Sequence, residues 1–265
     1  MPDWRTNCAP MSEPPAHVTD DAFLGGRLLL RQPKSGHRAG HDALLLAAAT
    51  PARPGQRVVD FGAGVGAAGL AVAKRVGAIQ LVMVEIDENL AELAHHNAAS
   101  NGIDAGVVAW DVASDASTFA AAGLTPDSVD VVLMNPPFND PVRHRGSPDT
   151  TRELAHRATA DTLENWTHAA RRILKSGGVL SLIWRADGLA EVLQALDRGF
   201  GSVKILPVHA DSSKPAMRVL VCAIKGGKAP LMLHGGLVLK DESGLPNKYV
   251  EDILAGKLGL GNGNG

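Results

Sequence analysis

Cysteine is almost absent from this 265-residue chain: Cys8 and Cys222 are far apart and make no C-x-x-C pair. That excludes a disulfide framework and fits a reducing compartment. Aromatics are also scarce, at 4% with a single tyrosine. No apolar run approaches a membrane span, and Leu44 to Ala49 is far too short for one. The polar, Pro-rich stretch Met1 to Asp20 has no apolar core of the kind a signal peptide needs. A cytoplasmic protein with no membrane partner is expected. The formal net charge of −2 gives no global attraction to nucleic acid, so any affinity for it must come from a local patch.

Apolar residues are plentiful, at 45%, with Ala, Val, Leu and Gly suited to tight helix-on-sheet packing. Residues 1–20 read as a loose leader, 21–255 as one domain, and 256–265 as a Gly/Asn-rich disordered tail. Asp21 to Gln32 reads as a short hairpin or strand, and Asp42 to Ala49 as an apolar helix stopped by Pro51 and Pro54. From Arg57 strands and helices alternate, which predicts helices on both faces of a parallel sheet. Strands are expected at Val58–Asp60, Gln80–Glu85, Gly106–Trp110, Val129–Met134 and Val179–Trp184, then at Lys204–His209 and Met217–Ile224. Helices are expected at Ala67–Arg75, Asn89–Ala99, Leu163–Leu174 (closed by Gly177-Gly178) and Gly188–Asp197. A short strand at Leu237–Leu239 and a helix at Lys248–Leu254 complete the chain. The fold class is α/β: a doubly wound, mostly parallel, seven-stranded sheet with an antiparallel edge strand.

Two stretches carry chemistry. The first is Asp60-Phe61-Gly62-Ala63-Gly64-Val65-Gly66, placed between a strand and a helix where a nucleotide-type cofactor binds. Gly64, Gly66 and Gly69 also satisfy the G-x-G-x-x-G of NAD proteins, with Glu85 at a suitable distance. Glu85 ends the second strand, where a carboxylate can accept from both hydroxyls of a ribose. Asp87 is expected to cap the next helix. Asp111 can accept from an exocyclic amine, with Val112 packing on an adenine face. Asp60 has two readings, a hold on a cofactor ammonium or a brace for the glycine loop. Asp42 likewise is either a helix N-cap or part of a lid formed by Arg38 to Asp42.

The second stretch is the strand Asp130 to Met134 running into Asn135-Pro136-Pro137-Phe138. An exocyclic amine conjugated to a ring is a poor nucleophile, and it must pyramidalise to attack a methyl group. Acceptors aimed at its two N–H groups favour that shape. Asn135 supplies a side-chain oxygen and Pro136 a carbonyl, both stiffened by the two prolines, while Phe138 offers a face for a flat substrate.

Together these stretches resemble the class I methyltransferases with an N-P-P-[FY] active site. The resemblance is closest to the bacterial tRNA N6-adenine methyltransferase family that acts on the anticodon loop of a valine tRNA. It spans about residues 20–255, including Gly36 to Leu46 and Leu237 to Leu254. It implies S-adenosylmethionine (SAM) as cofactor, with Asp60, Gly62, Gly64 and Gly66 on the glycine loop, Glu85 and Asp111 at the ribose and adenine, and Asn135 to Phe138 as the catalytic loop. Phe138 stands where Tyr is frequent, and His41 precedes Asp42 where Thr or Ser is often seen.

Arg143 and Arg145 follow the catalytic loop and so emerge on the substrate face, where they can meet phosphates of a tRNA or other structured RNA beside an extruded base. Arg171-Arg172 reads as a solvated helix face. Ten histidines show no metal-ligand spacing with cysteines or carboxylates, so no metal is expected. Rival readings are methylation of a glutamine amide in a release factor, which the short leader disfavours, or of guanine N2 in ribosomal RNA. Outside that class stand an NAD-dependent oxidoreductase and a catalytically silent SAM-binding RNA partner. The oligomeric state is left open.

Overall fold

The computed structural model describes residues 18–35, 38–137, 149–241 and 243–260, with 149–160 as backbone only. Phe138, Arg143 and Arg145, the leader up to residue 17 and the tail from 261 lie outside the described residues.

The chain opens with an antiparallel hairpin of β1 (Val18–Phe23) and β2 (Leu28–Pro33), which begins inside the expected leader. Helix α1 (His41–Ala49) follows, and its residues Ala43 to Ala48 are all buried. Such an all-round apolar helix needs cover on every side. It lies on the sheet and packs against α2 (Ala67–Val76) and α7 (Lys248–Leu254).

The sheet is built on β3 (Arg57–Phe61), β4 (Gln80–Glu85), β5 (Ala105–Ala109), β6 (Val129–Met134) and β7 (Leu174–Arg185), each parallel to its neighbour in that set. Beyond β7 lie β9 (Ala216–Lys225), antiparallel, and β8 (Phe200–His209), giving the order β8-β9-β7-β6-β3-β4-β5. The antiparallel strand is therefore one place in from the edge. Two-residue strands β10 (Met232–Leu233) and β11 (Leu237–Val238) each pair with β8, bringing the sheet to nine. The chain winds outward from β3 through β4 to β5, then returns to lay β6 on the other side of β3. In open α/β sheets a ligand crevice forms outside the strand ends at such a reversal. The glycine loop and Asn135 both stand there.

Two apolar layers sandwich the sheet. One joins α1, α2 and α7 to residues such as Val58, Leu81, Val131 and Leu220. The other joins α5 (Asp149–Ile173) and α6 (Leu189–Leu196) to Val59, Val84, Val132 and Trp184. Helix α3 (Glu88–Ser100) covers β4 and β5. A short helix α4 (Ala116–Ala121), not expected from the sequence, is started by Asp115, whose carboxylate accepts from the Thr118 amide at 2.9 Å. The Gly177-Gly178 pair does not close α5, which ends at Ile173; both glycines lie within β7.

Candidate active site

The glycine loop is held from below by carboxylates. Asp60 is 2% exposed, and its Oδ2 accepts from the Gly69 amide at 2.7 Å, so it braces the loop against the first turn of α2. Burial pushes its pKa up to about 7; the Gly69 amide opposes this and the neighbouring Glu85 charge adds to it. Glu85 Oε2 accepts from the Gly64 amide at 2.7 Å, and Oε1 from the Asp87 amide at 3.0 Å. The Ala63 amide donates to Val84 O at 3.0 Å, and the Gly66 amide to Ala63 O at 2.8 Å.

Four amides of the loop and the turn after it are thus consumed inside the protein. An NAD pyrophosphate needs such amides turned outward. Two buried carboxylates at the strand ends instead suit a cation. The G-x-G-x-x-G spacing is present, but the amides of Gly64, Gly66 and Gly69 are all spent inside the protein.

Two of the glycines serve different ends. At Gly62 (φ 64°) a β-carbon would collide with the ring of Trp166, so close packing against α5 demands glycine. At Gly64 (φ 56°) no heavy atom lies within 4 Å of that point. Packing does not demand glycine there; the left-handed backbone does, and it leaves the main chain bare toward a ligand.

Asp87 caps α3 as expected, accepting from the amides of Asn89 at 2.9 Å and Leu90 at 3.2 Å. Asp111 is exposed two residues past β5, and its Oδ1 accepts from the Ala113 amide at 2.8 Å. Val112, expected to offer a face to an adenine, is 3% exposed and packed in the core with Phe119 and Leu124. An apolar surface stands instead at Ile86, which follows Glu85 and is 65% exposed. A β-branched residue just past a strand-ending carboxylate was the available signal for it.

Asn135 begins the Asn-Pro-Pro segment at the end of β6, with Pro136 buried and Pro137 exposed. Its Oδ1 is buried and has no hydrogen-bond partner among the described residues. A buried amide oxygen left unbonded costs about 1–3 kcal/mol, so such an atom calls for a ligand group that donates to it.

Asp42 is not the N-cap of α1. Gly40 takes that position, and Asp42 Oδ2 pairs with Arg218 Nε of β9 at 3.0 Å. Arg38 is tied to the hairpin, through Asp21 Oδ2 at 2.6 Å and Pro33 O at 2.7 Å. Arg171 and Arg172 are not a solvated face either. Arg171 donates to Arg198 O at 2.8 Å, and the Arg172 guanidinium stacks 4.5 Å from the Phe119 ring centroid. Among the described residues no three His, Cys, Asp or Glu side chains gather as a metal site would require.

A glycine loop braced by two carboxylates thus stands beside an Asn-Pro-Pro turn at the sheet reversal, in a fold of the SAM-dependent methyltransferase class. Residues 36–211, more than half of the chain, match the model of the methyltransferase small domain, and the chain belongs to that family. It is 27% identical over 220 residues to a tRNA1(Val) (adenine(37)-N6)-methyltransferase of Erwinia tasmaniensis, covering 80% of this chain and 84% of that one. It is 29% identical over 150 residues to a ribosomal RNA small subunit methyltransferase C of Actinobacillus pleuropneumoniae, covering 57% of this chain and only 38% of that one. Among solved structures it resembles a predicted O-methyltransferase from Agrobacterium tumefaciens, with 32% identity, a TM-score of 0.69, and coverage of 83% of this chain and 98% of that one.

Proposed function

We propose that the chain methylates an exocyclic amino nitrogen, N6 of an adenine in tRNA. The observation that carries this reading is the buried Oδ1 of Asn135, an acceptor at the sheet reversal with no partner among the described residues. An amino group donates to it naturally, whereas a substrate hydroxyl has one proton to give and no planar nitrogen to reshape.

SAM, when bound, supplies an electrophilic methyl group on a sulfonium. The residues present fit it. Glu85 uses two of its roughly four acceptor sites on Gly64 and Asp87, and the remaining sites would accept from ribose hydroxyls. Gly64 would let the main chain approach, Ile86 would give the cofactor's adenine an apolar surface, and Asp111 would take its exocyclic amine. Glu85 would set a negative field around the cationic end, while Asp60 acts through the loop it braces.

On the substrate side Asn135 Oδ1 and Pro136 O accept the two N–H bonds of the target amine and hold it pyramidal, while Phe138 stacks the extruded base. An amine that gains a methyl group becomes acidic and would pass its proton to solvent, so no strong base is needed. Positioning and fixed dipoles provide most of the acceleration. Arg143 and Arg145 hold flanking phosphates.

The tRNA substrate is favoured by the Erwinia enzyme and by a similarly named one from Flavobacterium psychrophilum, 31% identical over 161 residues and covering 58% of this chain and 64% of that one. The ribosomal relative supports the second reading, guanine N2 in ribosomal RNA. Labelled methyl transfer to purified tRNA and 16S ribosomal RNA, followed by nucleoside mass spectrometry, separates the two. N6-methyladenosine in tRNA is expected. N2-methylguanosine in ribosomal RNA would replace the substrate, and no transfer to any RNA would remove the reading.

A further inference from the structure

Helix α3 and its C-cap meet the hairpin through two asparagines four residues apart, the first buried and the second partly exposed, with matching bonds to β2. Asn97 is fully buried; its Oδ1 accepts from the Arg31 amide at 2.8 Å and its Nδ2 donates to Arg31 O at 3.0 Å. One turn on, Asn101 Oδ1 accepts from the Leu29 amide at 2.9 Å and its Nδ2 donates to Leu29 O at 2.6 Å. Each side-chain amide thus serves one residue of β2 as a neighbouring strand would. The difference is the second N–H. Asn101 returns it to its own helix, to Asn97 O at 2.7 Å, whereas Asn97 sends it across to Val65 O at 2.9 Å.

Val65 lies between Gly64 and Gly66, whose φ values are 56° and 87°. A loop with two left-handed glycines keeps its shape only where neighbours fix it. Its other ties come from the strand ends, through Val84, Glu85 and Asp60. Among the described residues the Asn97 bond alone connects it, through a single amide group, to the hairpin. The hairpin in turn holds the segment leading into α1: Gln32, 2% exposed, bridges Asp21 Oδ2 at 2.8 Å and the Ala39 amide at 3.0 Å.

We propose that Asn97 is a positioning residue for cofactor binding, fixing the glycine loop against the hairpin and, through it, against the segment 38–42. This rests on the assignment of that loop to SAM. Asn97 touches no reacting atom, so its loss weakens cofactor affinity and leaves the chemical step alone.

The pair of asparagines supplies the control. Asn97→Ala and Asn101→Ala each remove two hairpin bonds, but only the first strips the buried Val65 carbonyl of its donor. Calorimetry with SAM should show Asn97→Ala weakened about tenfold relative to Asn101→Ala, because a loop freed of this tie must be reordered when the cofactor binds. KM for SAM should rise in parallel, with kcat at saturation within about twofold of wild type on this reasoning. If Asn97→Ala is too unstable to assay, Asn97→Leu serves, because it is uncharged, similar in shape and fills the buried site. It too removes the donor to Val65 O, and the same loss of SAM affinity is expected. Equal SAM affinity in the Asn97 and Asn101 variants, or a loss confined to kcat, overturns the role of Asn97. A wild-type chain that does not bind SAM overturns the loop assignment as well.

Discussion

The ring of Trp166 occupies the space that a β-carbon on Gly62 would need, its Cζ3 standing 2.8 Å from that point. Trp166 is 9% exposed and meets Phe61 edge to face at 6.5 Å. The glycine loop is therefore wedged between α5 and the strand ends.

Gly62→Ala should lower stability by about 1–3 kcal/mol through overpacking alone. Gly64→Ala, with open space around it, should cost only the left-handed backbone penalty of about 1 kcal/mol but should weaken SAM binding more. Thermal melts and calorimetry on both variants check the split. Equal melting temperatures would mean that Trp166 yields easily.

Asn135→Ala should bind SAM nearly as wild type does, yet turn over roughly 10²–10³ more slowly, as expected for losing one preorganised acceptor. Single-turnover assays with saturating SAM measure this. A rate within a few-fold of wild type would remove Asn135 from the mechanism.

Glu85→Ala removes the acceptors of the Gly64 and Asp87 amides together with the proposed ribose contact. SAM affinity should fall by at least about tenfold. Undiminished affinity in a calorimetric titration would show that the ribose is gripped elsewhere.

Asp60 links pH to stability. Its pKa is about 7 in the folded chain against 3.8 when unperturbed, so the native state holds a proton that the unfolded state releases. Its contribution is fully present below pH about 4 and is lost as pH rises through about 7. Asp60→Asn, which keeps an acceptor for the Gly69 amide, should flatten this part of the profile. Denaturant melts of both proteins between pH 5 and 8 test it; parallel profiles would show that Asp60 titrates normally.

Arg143 and Arg145 follow Phe138 by five and seven residues. Replacing either with Ala should flatten the plot of log RNA affinity against log salt by about 0.7–0.9 per lost phosphate contact. SAM affinity should not change. An unaltered slope in the double variant would move the RNA track elsewhere.

The architecture was legible because alternation of apolar runs with glycine turns is a local signal, and Gln80–Glu85 and Val129–Met134 fall on the strands as expected. The places of the glycine loop and of Asn135 in the fold were legible for the same reason, since each joins a strand to a turn. What was hidden depends on distant partners. Asp42 has the composition of an N-cap, yet Arg218, far along the chain, takes its carboxylate. Val112 follows a strand-end aspartate as an adenine contact would, yet α4, which no strong pattern announced, buries it beside Phe119. Trp166 and Asn97 look like ordinary helix residues, and only the packed fold brings them to the loop.

The asparagine pair also bears on how the chain behaves among its own copies. Leu29 is 55% exposed on a two-stranded ribbon, and an apolar strand with bare amides and carbonyls is a template for intermolecular pairing. Asn97 and Asn101 occupy those groups at Arg31 and Leu29. The end of a helix has thereby taken up the outer groups of β2 at Leu29 and Arg31, which removes them from pairing with another strand.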